Sequence, residues 1–128
     1  MKEFWSSRIR GLTPYTPGEQ PRERKFIKLN TNENPYPPSP MALSAIRAAA
    51  DEPLRLYPDP DCTQLREVMA ATCGLKPSQV FVGNGSDEVL ALCFQAFFDP
   101  DRILLFPDVT YSFYPVFAAL YGLQYRQV

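Results

Sequence analysis

Val80-Phe81-Val82 leads into Gly83-Asn84-Gly85-Ser86-Asp87-Glu88, after which the chain turns apolar from Val89 to Phe98. That order predicts a short buried strand, a tight glycine turn, and a helix beginning at or near Ser86. Gly83 and Gly85 carry no Cβ, so the turn can take positive φ and bring its backbone close to a ligand. Ser86 suits the cap position, and Asp87 and Glu88 suit the positive end of the helix dipole. A helix start also leaves N–H groups without an intrahelical acceptor, and phosphate groups settle on such donors. A capped turn with no ligand accounts for the same residues, so the rest of the chain has to decide.

At 128 residues and 45% apolar content the length suits one domain with a sizeable core. The net charge of −1 gives no reason to expect nucleic acid or an anionic membrane. Towards the N-terminus Lys2, Arg8, Arg10, Arg22, Arg24, Lys25 and Lys28 outnumber Glu3, Glu19 and Glu23. Such a cluster is a solvated basic arm, or a strip that favours a phosphorylated ligand. Histidine is absent, which removes Ser-His and Cys-His catalysis and histidine metal sites from this stretch. Cys62, Cys73 and Cys93 are odd in number and follow no metal-ligand spacing, so no metal is expected. Cys73 and Cys93 fall in amphipathic and apolar patterns and are expected as small core residues. Reduced thiols, no apolar leader and no membrane-length window imply a cytoplasmic protein.

Residues 1–25 hold Gly11, Pro14, Pro17, Gly18 and Pro21 with little periodicity, as in an arm that lies on another surface. Phe26-Ile27-Lys28-Leu29-Asn30 has the composition of a short strand. Asn30-Thr31-Asn32-Glu33-Asn34-Pro35-Tyr36-Pro37-Pro38-Ser39-Pro40 is too proline-rich for a helix and reads as a stiff loop, either plain surface or ligand-lining. A helix is expected from Ser39 or Pro40 to about Ala50, ended by Pro53. Tyr57-Pro58-Asp59-Pro60 is a second stiff bend. Asp61 or Cys62 then opens a helix with Leu65, Val68, Met69 and Thr72 on one face, stopped by Gly74.

The helix from Ser86 to Phe98 is apolar almost all round and is expected to be covered on several sides. Arg102-Ile103-Leu104-Leu105-Phe106 follows as a buried strand. Pro107-Asp108-Val109-Thr110-Tyr111 forms a polar loop, and a helix from about Ser112 to Tyr121 ends at Gly122. Tyr125 to Val128 begins another strand. Strand–helix–strand–helix–strand with short joints defines an α/β fold on a parallel sheet. Ligands on such sheets gather at the carboxyl ends of strands, where the Gly83–Ser86 turn and the Pro107–Tyr111 loop both leave.

Five segments then occur in one order: Gly11-Leu12-Thr13-Pro14-Tyr15, Leu29-Asn30-Thr31-Asn32-Glu33-Asn34-Pro35, Tyr57-Pro58-Asp59, Gly83-Asn84-Gly85-Ser86-Asp87-Glu88 and Phe106-Pro107-Asp108-Val109-Thr110-Tyr111. Together they resemble the N-terminal portion of the histidinol-phosphate aminotransferases, pyridoxal-phosphate enzymes of fold type I. The resemblance implies that Gly85, Ser86 and Asp87 meet the phosphate of pyridoxal 5'-phosphate and that Tyr111 lays its ring on the cofactor's ring. It implies that Tyr57 reaches the cofactor phosphate of the neighbouring subunit in a homodimer, and that Tyr15 and Asn32 border the substrate. It also implies an organisation of 1–40 as N-terminal arm and substrate-side loop, 41–79 as a helical segment, and 80–128 as the start of the cofactor-binding large domain.

In that family the catalytic lysine, the aspartate facing the pyridine nitrogen and the arginine for the substrate carboxylate all lie further along. None of Lys2, Lys25, Lys28 and Lys76 sits in a matching motif, so no catalytic residue is assigned in this chain. The expected activity is transfer of the amino group of L-histidinol phosphate to 2-oxoglutarate in histidine biosynthesis. Threonine-phosphate decarboxylation, another amino-acid transamination, or a truncated non-catalytic phosphate-binding module are the alternatives.

Residues 1–128 alone are expected not to behave as a well-folded monomer. A parallel sheet needs both faces covered, and a strand near Tyr125 with no following neighbour leaves an open edge. Size-exclusion chromatography with near-ultraviolet dichroism should report an aggregate, a loose dimer or a dye-binding, partly folded species. A sharp monomer peak with fixed aromatic signals would instead favour the module.

Overall fold

Two short strands, β1 (Ile103–Phe106) and β2 (Gln124–Gln127), pair in parallel, with Ile103 opposite Gln124 and Phe106 opposite Gln127. Helix α5 (Phe113–Tyr121) joins them, the crossover that a parallel pair requires. These elements belong to a computed structural model that describes residues 4–14, 18–19, 23 and 27–128. Tyr15 and Phe26 lie outside the described residues. The remaining elements are α1 (Ser7–Arg10), α2 (Pro40–Ala49), α3 (Thr63–Cys73) and α4 (Ser86–Phe97), with 3₁₀ turns at Glu52–Arg55 and Pro77–Gln79. The chain divides into two compact units, one of residues 1–17 with 83–128 and the other of residues 18–82.

In the first unit the core is aromatic. Phe94 of α4 lies against Phe98, Tyr114 and Phe117, with ring centroids 5.2, 5.9 and 5.4 Å away. Ala118 is fully buried, and Phe117 and Leu123 complete the cluster. Phe106 carries the packing onto the sheet, stacking on Tyr125 at 5.0 Å and meeting Tyr114 at 5.7 Å. α5 tolerates Pro115 because it falls in the first turn, where the missing N–H has no intrahelical acceptor. The helix ends on Gly122 at φ 70°, with Leu123 N–H donating to Ala118 C=O at 2.8 Å. α1 sits at this end of α5, where Arg8 donates to Leu120 C=O at 3.2 Å. A basic group on the last carbonyls of a helix is the favourable pairing with its dipole.

The second unit is built on capped helices. Ser39 accepts from Ala42 N–H at 3.1 Å and Pro40 opens α2, which stops at Ala49 before Pro53 enters the 3₁₀ turn. α3 starts after Cys62, a non-glycine residue at φ 48°, and Cys62 offers no side-chain cap. Asp59 supplies it from outside the helix, its two carboxylate oxygens accepting from Thr63 N–H at 2.8 Å and Asp61 N–H at 3.0 Å. Arg66 ties α3 to the following turn by donating to Pro77 C=O at 2.9 Å. Gly74, at φ 68°, closes α3.

Several expectations are corrected. Val80–Val82 is not a strand: Val80 is extended, but no ladder partner is present among the described residues. No strand forms at residues 27–30, and Ile27 and Leu29 are exposed. β1 is not buried, because among the described residues β2 alone pairs with it; Ile103 and Leu105 are exposed and, of the strand, Phe106 is buried. A cavity of about 240 Å³ between α4, β1 and Tyr114 marks the same open packing. α4 is covered on one side only, with Phe94 inside and Leu92 and Phe97 outside. Cys73 is exposed, and Cys93 is only half-buried because it borders that open cavity.

The Asp59 cap carries a pH signature. Hydrogen bonds from the Thr63 side chain first, then from the Thr63 and Asp61 backbone, hold its carboxyl below the usual aspartate range. A depressed folded pKa means the cap contributes fully above the ordinary value and is lost as pH falls through the lowered one. Asp59→Ala should therefore fray the first turn of α3 at neutral pH and flatten the acid limb of its stability. Amide exchange at Thr63 across pH reads both effects, and unaltered protection in the variant would dismiss the cap.

Candidate cofactor site

The site is set by how α4 begins. Gly85 stands just before the helix at φ 85° and ψ 172°, a backbone region that essentially only glycine occupies. The helix therefore starts one residue earlier than a Ser86 cap would place it, and Ser86 is its first residue. No side chain caps it. The N–H groups of Ser86, Asp87 and Glu88 are consequently the helix's own unsatisfied donors, clustered at the positive end of its dipole.

Glu88 holds the turn from behind. Asn84 N–H donates to its Oε2 at 2.6 Å, and Gly85 N–H donates to Gly83 C=O at 2.9 Å. A Cβ on Gly83 would meet Glu88 Oε2 at 2.8 Å and Val89 Cγ2 at 3.0 Å, so the carboxylate fits there because Gly83 lacks one. At Gly85 the same position faces open space. That combination leaves an uncrowded backbone with free donors at a helix start, and it fits a phosphate group.

Tyr111 follows β1 and its loop. Its hydroxyl donates to Asp87 Oδ1 at 2.6 Å, and its ring stacks on Phe113 at 5.4 Å and meets Tyr114 edge-on at 6.0 Å. Tyr111 remains 39% exposed. The structure thus brings together four of the expected site residues, Gly85, Ser86, Asp87 and Tyr111, within the first unit. The second unit carries Tyr57 and Asn32, and Tyr15 is outside the described residues. Tyr57 is 102% exposed on its proline bend. Asn32 is exposed beside Thr31, both at positive φ, in a loop whose Lys28 ammonium holds the Glu33 carboxyl below its usual range.

The sequence reading placed Glu88 at the helix's positive end but missed its brace on Asn84, and it missed the tie between Asp87 and Tyr111. The first was legible from a Gly-x-x-Glu spacing across a helix start, which imitates a capping box. The second joins residues 24 apart and had no local signal. Among the described residues no group of His, Cys, Asp and Glu is placed to hold a metal ion.

Residues 24–128 match the family described as aminotransferase class I and II, and the chain belongs to that family. Its members are pyridoxal-phosphate enzymes, and the α4 start suits the phosphate of that cofactor. Residues 83–128 contain no lysine. The whole chain is 62% identical to histidinol-phosphate aminotransferase 1 of Bradyrhizobium diazoefficiens and to the histidinol-phosphate aminotransferase of Acetobacter pasteurianus. It is 61% identical to that of Chromohalobacter salexigens. In each case it spans 36% of the relative's length.

Gly85→Ala should test the cradle. No neighbour obstructs the added methyl, so the cost is backbone strain of about 1–3 kcal/mol. The variant should lose inorganic phosphate affinity along with thermal stability. Retention of both would show that this backbone geometry is unnecessary.

Proposed function

We propose that this chain is the cofactor-cradling part of a histidinol-phosphate aminotransferase, and that the complete protein moves the amino group of L-histidinol phosphate to 2-oxoglutarate. The observation that carries the reading is identity of about 60% along the entire chain to enzymes of that name. The uncapped start of α4 supports it independently, because a phosphate-bearing cofactor needs such donors.

In this reading Gly85 lets the backbone approach, and the N–H groups of Ser86 and Asp87 hold the phosphate. Tyr111 offers its ring to the cofactor's ring. When bound, pyridoxal phosphate supplies the electron sink that amino-group transfer requires. Tyr57 is the residue given to a second copy: a fully exposed tyrosine on a stiff bend suits a hydroxyl that serves a neighbouring subunit in a homodimer. Tyr15 and Asn32 border the substrate. The three free thiols suit a cytoplasmic setting, and no described helix is long and apolar enough to cross a membrane.

The direct test is glutamate formation by the complete protein from L-histidinol phosphate and 2-oxoglutarate, with threonine phosphate as the competing substrate. Tyr57→Phe should weaken cofactor retention about tenfold or more, as loss of a hydrogen bond to a charged group does, while sedimentation still reports a dimer. No turnover by the wild type would defeat the reading, and normal retention by the variant would remove Tyr57 from it.

A further inference from the structure

Two carboxylates, Asp87 and Glu88, stand in the first turn of α4, where a phosphate would meet like charge. An ionised carboxylate accepts hydrogen bonds and cannot donate them, so neither side chain is an obvious phosphate ligand. Each has another occupation. Glu88 is folded back on Asn84 and braces the glycine turn. Asp87 reaches away from the turn to Tyr111 and accepts its hydroxyl at 2.6 Å.

The Tyr111 ring packs on Phe113, stacked at an interplanar angle of 29°, and on Tyr114, edge-on at 87°. Packing of this kind sets the tilt of a ring, but a residue more than a third exposed leaves its side chain room to swing about the Cα–Cβ and Cβ–Cγ bonds. The bond to Asp87 fixes the far end of the side chain to the first turn of α4. It therefore sets the ring relative to the same helix start whose N–H groups fit a phosphate. A cofactor held by its phosphate at one point needs its stacking ring registered against that point.

Resting on the aminotransferase reading, we propose that Asp87 is a positioning residue: its carboxylate registers the Tyr111 ring against the start of α4, and only its backbone N–H serves the phosphate. The hydrogen bond is charge-assisted, which makes it stronger than a neutral one, although exposure to solvent reduces its worth.

The test uses the complete protein with Asp87→Ala, Asp87→Asn, Tyr111→Phe and the Asp87→Ala/Tyr111→Phe double variant. Pyridoxal phosphate affinity and the visible circular dichroism of the bound cofactor are measured, and inorganic phosphate affinity is measured on the apoprotein. Asp87→Ala and Tyr111→Phe should each weaken pyridoxal phosphate about threefold to tenfold and diminish the dichroic band. The double variant should lose no more than either single one, since both remove one bond. Asp87→Asn keeps an acceptor oxygen and should recover part of the loss. Inorganic phosphate affinity should stay at the wild-type level throughout.

Tighter binding of both ligands in the Asp87 variants would mean that the carboxylate faces the phosphate, and would overturn the proposal. Equal weakening of both ligands would reduce Asp87 to a structural role, and additive losses or an unchanged dichroic band would deny the tie. A wild-type protein that retains no pyridoxal phosphate would defeat the aminotransferase reading itself and the proposal with it. Wild-type retention with indifferent variants would defeat the proposal alone.

Discussion

A helix that begins without a side-chain cap is the constraint on which the candidate site depends. Most helices hand their first N–H groups to a serine, threonine or aspartate oxygen. α4 begins at a glycine whose backbone conformation no other residue adopts comfortably, so those donors are left for something from outside. The acids that usually favour a helix start are present but turned elsewhere, Glu88 to the turn behind and Asp87 to Tyr111. Dipole and donors thus remain while the nearest negative charges are committed to protein partners.

The same aromatic packing serves stability and the site. Phe94 and Phe106 both touch Tyr114, and Tyr114 touches Tyr111. The ring proposed to meet a cofactor is therefore an exposed member of a series of rings that continues into the core. Rings pack well in offset and edge-on arrangements, and the series from 5.0 to 6.0 Å between centroids contains both. A core substitution at Phe94 would be felt at Tyr114, and from there at the site, with no change to any residue that meets the ligand.

Local chemistry was legible where one residue decides the outcome alone. Gly74 and Gly122 end their helices because each takes the left-handed conformation, and Ser39-Pro40 begins one because a cap and a fixed φ coincide. The parallel arrangement of β1 and β2 followed from strand–helix–strand order. Burial was not legible in the same way. Leu105, Phe97 and Cys73 have core composition, yet burial needs a second surface, and no single stretch of sequence states where that surface is. Val80–Val82 shows the same limit for hydrogen bonding, since an extended segment becomes a strand only when a neighbour completes the ladder. In the site, Gly85 and Ser86 were readable as a turn and helix start, whereas the Tyr111 tie depended on how the chain returns after β1.

Arg8 and its partner Leu120 are 112 residues apart, and the unit they help close is interrupted by residues 18–82. Chains are made from the N-terminus at roughly 5–20 residues per second, so Arg8 emerges on the order of ten seconds before the carbonyl it binds. During that interval residues 18–82 already possess every contact internal to their own unit. Arg8 has to wait without committing to a wrong acceptor. A guanidinium suits that waiting, because it is always charged and stays well solvated until a carbonyl arrives. The order of synthesis is therefore not the order of completion: Arg8 is made long before Leu120 and finds its place only after it.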